Sequence, residues 1–275
     1  MRWMLDYAAQ QASGIASWQR DTDHIEKSFV FAGMPARNGV TAALLVQIGG
    51  TGIDDVFSGA DNYLLANAPK ADAAKLIDGL GERYEITRTS VKKWTVGSPI
   101  QAPLDALDNL LKRRAFHPEQ VKQIAVHVAT SEASIVNNRE IPDICLQHMM
   151  AVMLLDGTAT FKSAHDVKRM QDPAVLRERA KVQLIPDQDL ERRLPRREAT
   201  VEVTLESGER LSEHVDSVRG TPENPMTRQE IIAKARDLIA PILGGPAASK
   251  LIDRVFDLEK LENLRQLRPL LQTSR

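Results

Sequence analysis

The chain has 275 residues, and its 43% hydrophobic and 27% charged residues are typical of soluble globular proteins, which excludes the disordered and fibrous classes. Its 36 Lys+Arg against 37 Asp+Glu give a net charge of -1, so no overall field favours nucleic acid or an anionic membrane surface. The single cysteine, Cys145, excludes an intrachain disulfide and a metal site built from several cysteines.

The start of the chain lacks the features of a targeting segment. Arg2 and Asp6 interrupt any apolar signal core, and no apolar run approaches the ~20 residues of a membrane span. We therefore expect a cytoplasmic protein that contacts neither a membrane nor nucleic acid.

The first part of the chain is predicted to be helical. Apolar residues recur at helical spacing over residues 3–16 and 36–48, and Gly49 and Gly50 end the second of these helices. Because the apolar pattern begins almost at Met1, we expect a further helical stretch upstream. Shorter helices are predicted over residues 54–58, 61–67 and 72–80.

The middle of the chain mixes strand and helix patterns. Residues 84–91 are rich in β-formers, and residues 122–128 alternate in polarity, so both predict strands. Residues 199–205 and 210–215 flank Ser207-Gly208, which is typical of a β-hairpin. Helices are predicted over residues 103–114, 144–155 and 173–179.

The C-terminal part returns to helices. Thr227, followed three residues later by Glu230, forms the pattern of a capping box. The order of elements predicts an α+β fold with a mainly helical body formed by residues 1–88 and 221–275. Residues 89–220 are predicted to form an inserted α/β lid that contains an antiparallel sheet. The predicted C-terminal helices cover residues 227–243, 247–255 and 258–271.

The sequence contains no phosphate-binding loop, zinc-binding helix or nucleophile elbow. The run Gly49-Gly50-Thr51-Gly52 follows a helix and lacks the Lys-Ser/Thr ending of a phosphate loop, so we interpret it as a helix stop. No metal ion or cofactor is therefore expected.

Three places carry residues suited to acid–base chemistry or anion binding. His24 and Lys27 lie among carboxylates in a loop, where the alternative is a solvated loop without function. Lys92 lies at the predicted boundary of the lid, where clefts tend to form, although a surface lysine is the alternative. His148 lies in a mostly apolar helix and is either a core histidine or a base.

Four segments together carry a resemblance to a known family. The last, residues 220–227, reads Gly-Thr-Pro-Glu-Asn-Pro-Met-Thr and is the most specific; the others are residues 23–39, 92–107 and 141–157. In this order they resemble the MmgE/PrpD family, which includes 2-methylcitrate dehydratase, cis-aconitate decarboxylase and an iminodisuccinate epimerase.

The resemblance implies a helical body with an inserted lid, a cleft for a small carboxylic acid, a homodimer, and catalysis without metal or nucleotide. It implies that Lys27 and Lys92 are site residues. Gln101 stands where the family has a histidine, and His148 stands where it has a tyrosine. Family members also carry an upstream helical stretch that brings an Asp and a His to the site.

On this basis we predict a hydro-lyase that acts on a 2-methylcitrate-like hydroxy-di- or tricarboxylic acid in propionate metabolism, once the upstream part is supplied. A base abstracts the proton beside a carboxylate, and fixed positive charge stabilises the enolate. Lys27 and Lys92 are the candidate cations, and His148 and His24 are the candidate bases.

Other functions remain open on the sequence alone. The same residues would serve a decarboxylase or an epimerase of the family. A second hypothesis is a non-catalytic remnant, or one subunit of a split enzyme, that binds a companion chain over an exposed apolar face. A third is an acid-binding module without turnover.

Overall fold

The structure is a computed structural model that describes residues 1–12 and 29–272. These residues divide into two compact units, Met1–Tyr84 and Glu85–Arg275. The break lies close to the predicted boundary at residues 88 and 89. The C-terminal helices belong to the same unit as the sheet, so a body shared by both chain ends stays a prediction.

The first unit is helical in its described part. Helix α1 (Arg2–Gln10) packs against helix α2 (Met34–Gln47), and the Asp6 carboxylate of α1 accepts a hydrogen bond from the Ile53 backbone N–H at 3.2 Å. The helix stop after α2 is confirmed, because α2 ends at Gln47 directly before the glycine-rich run. The elements are α1 (Arg2–Gln10), a π-helical turn (Phe29–Gly33), α2 (Met34–Gln47) and α3 (Tyr63–Asn67).

Much of helix α2 is exposed. Val40, Leu44 and Ile48 are 61%, 54% and 81% exposed, whereas Ala42 is fully buried. By length and composition alone, the helical stretch Phe29–Gln47 is also apolar enough to cross a membrane, a property that was not predicted from the sequence.

The second unit has an α+β architecture, as predicted. Its helices are α4 (Gln101–Arg113), α5 (Thr130–Val136), α6 (Leu146–Asp156), α7 (Phe161–Ala164), α8 (Pro173–Arg179), α9 (Gln188–Glu191), α10 (Arg228–Leu243) and α11 (Gly245–Phe256). Its strands are β1 (Val121–Ala129), β2 (Val182–Asp187), β3 (Ala199–Leu205) and β4 (Arg210–Val215).

The four strands form one mixed sheet in the order β2-β1-β3-β4. Strands β3 and β4 form the predicted antiparallel hairpin, and β1 is antiparallel to β3. Strands β1 and β2 are parallel, with Ile124 opposite Val182, a pairing that was not predicted. The core lies against helices α4 and α6, whose apolar side chains are almost all buried together with the inward faces of β1 and β3.

Several local predictions differ from the structure. The β-forming residues before Val91 form an exposed 3-10 turn, Glu85–Arg88, with no strand partner in the described chain. β-Propensity reflects packing on a half-buried sheet surface, which these exposed side chains lack. The helix predicted near the C-terminus is replaced by the 3-10 segments Leu258–Lys260 and Leu264–Leu271, the second of which contains Pro269, a residue without a backbone N–H.

Candidate functional site

A cleft of about 530 Å³ opens within the second unit. This volume lies in the range of small-molecule sites. Four chain segments line it, namely residues 85–92, 98–101, 195–197 and 216–223. Five cationic and three acidic side chains belong to the lining: Arg88, Lys92, Arg196, Arg197 and Arg219, with Glu85, Asp216 and Glu223.

Gly220 joins two of these segments. Its carbonyl oxygen accepts a hydrogen bond from the Val91 backbone at 2.7 Å, directly before Lys92. The Gly220 φ angle is +97°, and a Cβ atom here would overlap the Val91 carbonyl oxygen. Only glycine therefore permits this contact, which explains the first position of the Gly-Thr-Pro-Glu-Asn-Pro segment.

Lys92 lines the cleft at this junction. Its Nζ donates to the Val96 carbonyl oxygen at 3.1 Å, and its own carbonyl oxygen accepts a hydrogen bond from the Lys234 ammonium. Burial lowers the pKa of Lys234. The backbone is thus held at the Lys92 carbonyl oxygen and at the preceding Val91 N–H, and the ammonium is directed at Val96.

Gln101 fixes the neighbouring stretch of backbone. Its side chain is buried; the Oε1 atom accepts from the Trp94 N–H at 3.1 Å, and Nε2 donates to the carbonyl oxygens of Trp94 at 2.8 Å and Val96 at 3.2 Å. At a position where the family has a histidine, this chain therefore has a side chain whose amide is engaged with backbone groups.

Asp105 connects the chain at Trp94 to the chain at Arg219. The buried carboxylate accepts hydrogen bonds from Trp94 Nε1 at 2.9 Å and from the Arg219 backbone N–H at 2.7 Å. Burial raises its pKa, against the effects of these two hydrogen bonds and of nearby Lys93. Lys93 is itself paired with Asp108 at 2.6 Å.

Three arginines of the lining pair with carboxylates of the described residues. Arg219 binds Glu230 through two hydrogen bonds of 3.0 and 2.5 Å, and the pKa of Glu230 falls to about 2, mainly because of this contact. Arg197 donates to Glu132 at 2.6 Å. Burial nevertheless raises the pKa of Glu132, with Arg197 opposing the shift. The third pair joins Arg88 to Glu85 at 3.7 Å.

Arg196 differs from these three. Within residues 1–12 and 29–272 its guanidinium makes neither an ion pair nor a hydrogen bond, although it lines the cleft.

The four predicted site residues have different positions. Lys92 is in the cleft lining, whereas His24 and Lys27 lie outside the described residues. The predicted meeting of Lys27 and Lys92 on one carboxylate therefore stays a prediction.

His148 is fully buried in α6 and is not part of the cleft lining. Neither ring nitrogen has a hydrogen-bond partner among the described residues. Burial, helped by Arg179 and Arg169, lowers its pKa to about 4, so the ring is neutral at neutral pH.

The arginines of the cleft were not predicted from the sequence. Arg196 and Arg197 belong to a run of charged residues before β3, a pattern typical of a solvated turn. Arg219 directly precedes the Gly-Thr-Pro-Glu-Asn-Pro segment, and this position next to a family segment could have indicated a site residue. In the described part of the chain no three His, Cys, Asp or Glu side chains cluster as a metal ion would require.

Comparison with known proteins identifies a family. A family model described as the MmgE/PrpD C-terminal domain matches residues 94–258, more than half of the chain. The match includes three of the four segments that line the cleft and begins just after Lys92. No curated protein matches the chain.

Proposed function

Because the chain belongs to the MmgE/PrpD family, we propose that it is a lyase that binds a small carboxylic acid in the cleft of its second unit. The family suggests a dehydratase-type role. The finer proposal is dehydration of a 2-methylcitrate-like hydroxy-di- or tricarboxylic acid in the cytoplasm, without a metal or cofactor.

The proposal rests on Lys92, which lines a cleft rich in arginine and whose backbone is held at its carbonyl oxygen and at the preceding Val91 N–H. A proton beside a carboxylate is weakly acidic, so its removal requires fixed positive charge near the developing enolate. Lys92 supplies such a charge on a prearranged backbone. Arg219 also lines the cleft, but its pair with Glu230 neutralises most of its charge.

The proposed reaction has two proton transfers. A neutral base takes the proton from the carbon beside the carboxylate, and the electron pair of that C–H bond forms the enolate. The enolate then re-forms the carboxylate as the C=C bond forms and the C–O bond to the β-hydroxyl breaks; the protonated base gives its proton to this oxygen, which leaves as water. His24 and His148 are the proposed bases. His148 is not part of the cleft lining, and His24 lies outside the described residues, so the choice between them is left to mutation.

Turnover of 2-methylcitrate, followed by absorbance of the unsaturated product, tests this proposal. We expect Lys92→Ala to lower kcat/KM at least about 100-fold, the loss typical for removal of a group that stabilises an oxyanion. Lys162→Ala, an exposed lysine outside the cleft, is the matched control and should keep wild-type activity. Equal activity of the Lys92→Ala variant and the wild type would contradict the proposal.

Two further assays distinguish the related reactions. Release of carbon dioxide from an unsaturated tricarboxylate indicates decarboxylation, and solvent deuterium incorporation without elimination indicates epimerisation. Both use the enolate that Lys92 is proposed to stabilise.

A second candidate function is that of a subunit in a larger assembly. The exposed apolar side chains of α2 favour this, because contiguous apolar surface on a folded protein commonly marks an interface. A homodimer or a companion chain would cover them.

A further inference from the structure

The segment before strand β3 is held by two buried carboxylates. Arg193 binds Glu198 at 2.7 Å, and Arg197 binds Glu132 at 2.6 Å. Glu198 and Glu132 are 4% and 5% exposed. A buried carboxylate that loses its cation is strongly destabilising, so these two pairs keep both ends of the segment in place.

Arg196 lies between these two anchors. Its backbone N–H donates to the Arg193 carbonyl oxygen at 3.1 Å, which closes a tight turn. The guanidinium belongs to the cleft lining but has no carboxylate partner in the described parts of the chain. Arg193 and Arg197 are neutralised by their carboxylates, so, among the described residues, Arg196 is the arginine of this turn that presents an unpaired guanidinium to the cleft.

A guanidinium binds a carboxylate through two parallel hydrogen bonds, a geometry that a lysine ammonium does not offer. Lys92 and Arg196 belong to different segments of the lining of one cleft. Two cations on separate segments suit an acid that carries a carboxylate at each end.

We propose that Arg196 binds a second carboxylate of the substrate and selects acids with two or more carboxylates over monocarboxylates. This assignment rests on the proposed function, because it takes the cleft as the carboxylic-acid site. Lys92 then binds the carboxylate beside the reacting carbon, and Arg196 sets the choice of substrate.

Binding of succinate and propionate to the full chain, measured by ligand-observed NMR titration, tests the assignment. Succinate is propionate with one additional carboxylate. We expect the wild type to favour succinate, and Arg196→Gln to weaken succinate binding roughly tenfold or more while leaving propionate binding unchanged. Lys92→Ala should weaken the binding of both acids.

Two controls separate this role from a general effect of charge. Arg192→Gln changes an exposed arginine of the same region that pairs with Asp189 outside the cleft, and it should leave both affinities unchanged. Glu206→Gln removes an exposed acid outside the cleft and should also leave both affinities unchanged. If either control weakens succinate binding as Arg196→Gln does, the effect is one of overall charge and the proposal is wrong.

The remaining outcomes are also decisive. An Arg196→Gln variant that keeps the wild-type preference, or that weakens both acids equally, overturns the role of Arg196 but leaves the proposed function standing. A wild-type protein that binds neither acid contradicts the proposed function itself, and the assignment of Arg196 with it.

Discussion

His148 is a buried imidazole without a hydrogen-bond partner in the described chain. Its pKa is about 4 in the folded protein, against 6.5 as its ordinary value. In the unfolded chain the ring takes up a proton below pH 6.5, whereas in the folded protein it remains neutral down to about pH 4. Protonation of His148 in the unfolded chain therefore leaves the free energy of unfolding unchanged well above pH 6.5 and lowers it as the pH falls toward 4.

We expect the free energy of unfolding to fall by about 3 kcal/mol between pH 7 and pH 4 through this group, because a tenfold difference in proton affinity between the folded and unfolded protein is worth about 1.4 kcal/mol. His148→Met, which fills similar space among the neighbouring methionines, should flatten that dependence. Urea unfolding at several pH values measures it, with the exposed His165→Gln as control. A wild-type slope retained in the His148→Met variant would contradict this interpretation.

The same variant addresses the catalytic prediction for His148. If the ring is the base, His148→Met abolishes turnover at pH 8, where both proteins are stably folded. If the ring acts only in packing, turnover at pH 8 stays close to that of the wild type.

Single residues show how far the sequence predicts the site. Lys92 was predicted because it belongs to a segment with family resemblance and lies near a predicted domain boundary; it lines the cleft, and its role stays a prediction. Arg196 was missed because the role of an exposed arginine depends on which side chains lie beside it. Only the fold shows that Glu132 and Glu198 neutralise its neighbours and leave Arg196 facing the cleft.

The loop that contains Gly220 is the element on which the position of Lys92 depends. We expect Gly220→Ala to lower the free energy of unfolding by more than about 1 kcal/mol, because a side chain is placed at positive φ and against Val91. It should also weaken succinate binding, since the overlap displaces the backbone next to Lys92.

Gly208→Ala is the matched control for this prediction. Gly208 has a φ angle of +87° in the β3–β4 hairpin, and no atom lies within 4 Å of the point that an alanine Cβ would occupy, so the variant carries the conformational penalty without the overlap. Urea unfolding and succinate titration of both variants make the comparison. Identical behaviour of the two would show that contact with Val91 does not position Lys92.

Elements defined by local signals were predicted correctly. The hairpin around Ser207-Gly208 and the capping box of Thr227 and Glu230 are both present, because each depends on residues close in sequence. The parallel pairing of β1 with β2 was not predicted. It joins residues about 60 positions apart, and no local pattern in β2 marks its partner.

At the scale of the whole molecule, the exposed apolar side chains of α2 predict an interface. We expect the purified chain to self-associate at micromolar concentration, and the pair Leu44→Glu with Ile48→Glu to shift it toward the monomer in size-exclusion chromatography with light scattering. Val167→Glu, at another exposed apolar position, is the control. A monomeric wild type would contradict the prediction of an interface on α2.

The α+β class followed from the order of elements along the chain. The grouping of the C-terminal helices with the sheet did not, because helices at opposite ends of a sequence give no local sign of which unit they join. The family match and the cleft both lie in the second unit.

The two segments of the cleft lining that carry Lys92 and Arg196 are held by different contacts. The segment of Lys92 is held by the hydrogen bond between Val91 and Gly220 and by Asp105, whereas the segment of Arg196 is held by the ion pairs of Glu132 and Glu198. A mutation in the segment of Arg196 can therefore change which acid binds without displacing Lys92. Because the two segments are held independently, single substitutions near Arg196 can change the substrate preference while the position of Lys92 is preserved.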